Sequence, residues 1–73
     1  MKLPTKAQLT AQCARWNAEN PVGTAVNVVM DNGDIRETVT KTRAQILGDH
    51  TAVIWLEGIG GCYLLSRVTR RAA

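Results

Sequence analysis

The stretch from Thr42 to Val68 constrains this chain most. It holds an expected helical turn, two dense apolar strands and the reversal Gly58-Ile59-Gly60-Gly61, with almost no residues spare between them. In Thr51–Glu57, Ala52, Ile54 and Leu56 fall on one face and Val53 and Trp55 on the other. A strand apolar on both faces is covered on both. The N-terminal helix is therefore expected over one face, with the sheet curling over the other. The spacing is that of a tightly built small β-domain, not of a scaffold for catalytic loops.

The segment before it reads as a hairpin. Thr24–Asp31 and Asp34–Thr42 flank Asn32-Gly33, a strong two-residue type I′ turn signal. That turn sets Asp31 against Asp34, Met30 against Ile35, Val28 against Glu37 and Val26 against Val39. This face is apolar except for Glu37, which needs a cation; Arg67 or Lys41 could serve. Asn27, Val29, Arg36, Thr38, Thr40 and Thr42 form the other, solvated face.

A helix is expected over about residues 5–18. Thr5 and Gln8 have capping-box spacing, and Leu9, Cys13 and Trp16 share one helical face. Asn20-Pro21 ends it, because a residue before proline disfavours the α region. Thr42 and Gln45 repeat the capping-box spacing, with Gly48 placed as a C′ glycine, which predicts a short helical turn at about 43–47. Trp16 and Trp55 are both expected to be largely buried.

The expected fold is α+β, one small domain over residues 1–73: the helix, a β-domain at about 24–69 and a frayed tail at 70–73. Its four strands form an antiparallel meander, curled into an SH3-like half-open barrel; a flat four-stranded sheet crossed by the helix is the alternative. Seventy-three residues bury about 60% of the unfolded surface, a small but workable core. No apolar run approaches the roughly 18 residues of a membrane span. The N-terminal residues carry no apolar h-region, so no secretory signal is read. Cys13 and Cys62 lie in no metal spacing and read as free, packed thiols, which goes with a cytoplasmic location.

Candidate chemistry is sparse. His50 is the single histidine, and a metal site needs three or four convergent ligands. A relay of Asp49, His50 and Ser66 has nothing to position it, and His50 reads as structural, for example bonding a loop carbonyl. The glycine run Gly58–Gly61 joins two strands, whereas a phosphate loop leads into a helix. Turn chemistry accounts for Asp31 and Asp34. No catalytic residue, cofactor or metal is expected. The net charge of +3 permits nucleic-acid binding without requiring it. Lys41, Arg43, Arg67, Arg70 and Arg71 form a possible binding edge, which Trp55 or Tyr63 could complete as a stacking surface for single strands. They equally suit a solvated edge that discourages aggregation.

Trp16-Asn17, Pro21-Val22-Gly23-Thr24, Thr42-Arg43-Ala44, Ile46-Leu47-Gly48, His50-Thr51-Ala52-Val53, Glu57-Gly58 and Leu65-Ser66-Arg67-Val68 occur in an order that resembles a group of small uncharacterised proteins of bacteriophages, prophages and other mobile DNA. Asp49 departs from that pattern, where a second glycine is expected. The resemblance covers about three-quarters of the chain and implies a phage-related bacterial origin and a compact β-fold, but no activity. Residues and resemblance together point to a non-enzymatic binding module acting on a host or phage protein, with a weak, basic nucleic-acid-binding accessory protein as the alternative. One continuous basic patch would favour nucleic acid; a contiguous exposed apolar patch would favour a protein partner.

Overall fold

A computed structural model describes residues 4–48 and 50–71. Helix α1 (Lys6–Glu19) leads into β1 (Ala25–Val29), β2 (Ile35–Val39), β3 (Gln45–Leu47), β4 (Thr51–Trp55), β5 (Cys62–Leu64), a 3-10 turn (Leu65–Arg67) and β6 (Val68–Arg70). The strands form two three-stranded antiparallel sheets, ordered β2-β1-β6 and β3-β4-β5. The α+β class is as expected; the single four-stranded meander is replaced by these two sheets.

The helix follows its sequence signals. Gln8 N–H donates to Thr5 Oγ1 (3.2 Å), and Thr5 N–H donates to Gln8 Oε1 (2.8 Å), completing the capping box. Asn20 caps the other end in an extended conformation.

Three differences from the expected elements have local causes. First, residues 45–47 are strand, not helical turn. Thr42 Oγ1 accepts from Trp55 N–H (3.3 Å) rather than capping. Ala44 N–H donates to Asn17 Oδ1 (2.8 Å), while Asn17 Nδ2 donates to Ala44 O (3.1 Å). Ala44 is thus satisfied on both sides without helical bonds. Second, residues 62–69 are two short strands separated by the 3-10 turn, which lets β6 cross to pair with β1. Arg70 belongs to β6 and Arg71 N–H donates to Ala25 O (3.0 Å), so the expected frayed tail is anchored at these residues; its last two residues lie outside those described.

Third, the hairpin register is shifted by one. The observed pairs are Ala25 with Val39, Val26 with Thr38, Val28 with Arg36 and Val29 with Ile35. The loop has three residues, Asp31-Asn32-Gly33: Gly33 N–H donates to Met30 O (2.9 Å), and Met30 N–H donates to Asp34 O (2.7 Å). Gly33 takes φ +90°, as in a turn followed by a left-handed bulge residue. Asn32 Oδ1 accepts from Asp34 N–H (3.0 Å) and holds this geometry. One added loop residue moves every β2 side chain to the other face. Ile35, Glu37 and Val39 therefore face outward, and Arg36, Thr38 and Thr40 share the face of Val26 and Val28. Thr40 is 2% exposed; its Oγ1 accepts from the N–H groups of Gly23 (3.0 Å) and Thr24 (3.2 Å).

Past Val39 the chain pairs with the end of β4. Glu57 N–H donates to Val39 O (3.0 Å), Thr40 bridges Leu56, and Lys41 N–H donates to Trp55 O (2.9 Å). Residues 35–47 thus run as one bent path, bonded to β1 in its first half and to β4 in its second. The core lies between the sheets: Val26, Val28, Ile54 and Leu56 are its innermost members, joined by Leu65, Val68, Ala44 and Ala52 and by Leu9 and Cys13 from α1. Trp16 packs against this core and is partly buried, as is Trp55. Both are thus largely covered, as expected, but neither is among the innermost residues; Trp55 lies on the outer face of β4.

Candidate functional site

The five basic residues of the expected binding edge do not occupy one place. Thr40 bonds Thr24, and Arg71 bonds Ala25. Lys41, Arg70 and Arg71 therefore lie toward one end of the β2-β1-β6 sheet, with Arg43 two residues beyond Lys41 on the path into β3. Arg67 precedes Val68, which pairs with Val28, at the other end of β6; three strand residues separate the ends by about 10 Å. Both outer arginines have acidic partners. Arg67 Nη1 lies 3.1 Å from Asp31 Oδ1, and Arg71 Nη1 lies 3.1 Å from Glu37 Oε1. Glu37's cation is thus Arg71, not Arg67 or Lys41, and the exposed pair lies on the outer face, where the shifted register puts Glu37.

The other candidates resolve into local structure. His50 Nδ1 lies 2.8 Å from Thr51 Oγ1, so its partner is a hydroxyl rather than a loop carbonyl, and its ring packs over Gly48. The Asp49 member of a relay lies outside the described residues. Among the described residues no three His, Cys, Asp or Glu side chains group as metal ligands. The Gly58–Gly61 loop is a strand reversal with Gly58 at φ +75° and Gly61 at φ +72°. Both cysteines are free, and burial pushes the Cys13 thiol pKa up.

A surface the sequence reading did not single out is the outer face of the β3-β4-β5 sheet. The registers place Gln45, Val53 and Leu64 in one cross-strand row, with Leu47 beside Thr51 and Trp55 beside Cys62. None of these seven residues is charged, although 21% of the chain is. Val53 is 2% exposed between its neighbours, whereas Leu47 is 49% and Leu64 43% exposed. The signal is present as the two-sided apolar pattern of 51–57, which demands a cover; Val53 is buried, whereas Leu47 and Leu64 on the flanking strands stay exposed.

Beside this face, Met30, Asp31, Ile35, Arg36 and Tyr63 line an open cleft of about 580 Å³ between the hairpin tip and β5. Asp31 and Tyr63 continue into a smaller hollow with Cys62, Leu64 and Arg67. The Arg67–Asp31 pair thus ties the hairpin tip to the 3-10 turn across the cleft. No described helix is long and apolar enough to cross a membrane. The chain matches no protein-family model, no curated protein and no solved structure.

Proposed function

We propose that this protein is a non-enzymatic binding module that docks a protein partner on the uncharged outer face of its β3-β4-β5 sheet. The observation that carries the reading is the absence of charge from this face, with Leu47 and Leu64 exposed on its two outer strands: exposed apolar side chains on one surface suit an interaction site, and charge depletion distinguishes interface centres from other surface. We further propose an SH3-like half-open barrel, supported by the bent path 35–47 shared between the sheets and by the return of β6 to β1 after a 3-10 turn. The ordered sequence pieces that resemble phage and mobile-element proteins support a bacterial setting and a host or phage partner, and the two free cysteines support a cytoplasmic one.

The second reading, weak nucleic-acid binding, is favoured by the placement of Lys41, Arg70 and Arg71 toward one sheet end. Titration of a labelled random oligonucleotide separates the two. Five phosphate contacts at most give a slope of log K against log[salt] no steeper than roughly −4 to −5 on a duplex. The docking reading expects at most weak binding that vanishes at physiological salt. Micromolar binding that persists there would put nucleic acid first.

A further inference from the structure

The bonds along β2 fix which of its backbone groups are open. Met30 N–H donates to Asp34 O and Thr40 N–H to Thr24 O, so even-numbered residues from 34 to 40 turn their N–H and C=O toward β1. Odd-numbered residues turn theirs away: Val39 O receives Glu57 N–H, and Lys41 N–H reaches Trp55 O. Ile35 and Glu37 are the odd-numbered β2 residues left over, and no described residue bonds their outward backbone groups. An unpaired strand edge is a template for another strand. Ile35 is 67% exposed there, beside its cross-strand partner Val29 at 43%. Asp34 and Arg36 flank Ile35 on the opposite face. Neither has an ion-pair partner among the described residues; Asp34 Oδ2 accepts only from Asn32 Nδ2 (3.1 Å).

We propose that this edge pairs, antiparallel, with the same edge of a second copy of the chain about a two-fold axis at Ile35. Asp34-Ile35-Arg36 is self-complementary about its centre. In this register Ile35 of one copy faces Ile35 of the other, and each Asp34 faces the other copy's Arg36. Two opposite-charge cross-strand pairs then form on one face, and Ile35 and Val29 of both copies meet on the other; such pairs are what stabilises antiparallel strands. A two-fold contact uses one patch twice and demands this kind of self-match. Centring the pair on Arg36 would instead oppose two arginines. Gly33, which would face Glu37, has no side chain to obstruct the approach. The product is a six-stranded sheet, β6-β1-β2 continued by β2-β1-β6 of the second copy. The open window is bounded by the turn at Gly33 and by Glu57, so the interface belongs to the small, transient class. It leaves the β3-β4-β5 face free and stands whether or not that face binds a partner.

Sedimentation equilibrium from about 20 μM to about 2 mM spans the range expected of such contacts. The wild-type mass should rise with concentration from one chain toward two. Asp34→Arg and Arg36→Asp each oppose like charges and should weaken association at least about tenfold. The double variant Asp34→Arg/Arg36→Asp restores both opposite-charge pairs and should dimerise again. A wild-type mass of one chain throughout, or folded single variants that associate as the wild type does, would overturn the proposal. So would a folded double variant that stays monomeric. Amide exchange of the wild type needs no variant: protection of the Ile35 and Glu37 N–H groups should grow with concentration, and protection independent of concentration contradicts the pairing.

Discussion

Asn17 does for Ala44 what a neighbouring strand would do, accepting from its N–H and donating to its C=O. Asn17→Ala leaves both groups unpaired beside the core and should cost about 1–3 kcal/mol. Asn17→Asp keeps the acceptor and should cost less; urea midpoints within error of wild type for both would refute the clasp. Asn27 is the converse case. It lies in the central strand β1, and its Oδ1 is buried without a partner. Asparagine also suits strands poorly. Asn27→Thr should therefore raise stability by about 0.5–2 kcal/mol, and a lowered melting temperature would show that the amide has a use. Cys13 is buried with its pKa raised by desolvation, so its thiol stays protonated and slow to react. A thiol reagent should modify half-exposed Cys62 first and Cys13 only on unfolding. The sign for stability follows: the raised folded pKa favours the folded state below the unfolded thiol pKa, and that contribution falls away as pH rises through the folded value. Neither the Asn17 nor the Thr40 bonding was legible in sequence, because each joins residues brought together only by the fold.

The elements themselves were partly legible. Helix α1 was, because capping box, apolar spacing and Asn20-Pro21 all act within a few residues. The β1–β2 hairpin was legible as a hairpin but not in register. Asn32-Gly33 fits a two-residue turn, yet Asp31-Asn32-Gly33 also fits a three-residue loop with glycine in the left-handed position, and the Asn32–Asp34 hydrogen bonds select it. The threonines in and just past β2 misled for the same reason: Thr38 and Thr40 look solvated, but Thr38 Oγ1 donates to Glu57 O (2.6 Å) and Thr40 is buried. Gly33→Val should destabilise the fold, since a β-branched residue resists positive φ; Gly33→Asn should be far milder. Close Hα–Hα contacts are expected for Asn27–Glu37 and Val29–Ile35, the pairs with the shorter Cα separation. Hα–Hα contacts between Val28 and Glu37 would restore the two-residue turn and remove the basis of the β2 edge pairing.

At the scale of the molecule, charge is kept off one sheet face. Arg67 and Arg71 are paired with acids at opposite ends of β6, while the outer face of β3-β4-β5 carries no charge. That arrangement could not be read from the sequence. It depends on which strands become neighbours, and the expected four-strand meander placed Arg67 and Arg71 together at one edge. A lysine at Leu64 can lay its stem over Val53 and keep its charge in water, so Leu64→Lys should preserve the fold while placing a charge that a partner must desolvate. Affinity capture from nuclease-treated host lysate, run with wild type and with folded Leu64→Lys, tests the docking surface most directly. A protein retained by the wild type after nuclease treatment and lost with Leu64→Lys is the expected result. Retention that disappears with nuclease, or that Leu64→Lys leaves unchanged, would contradict it.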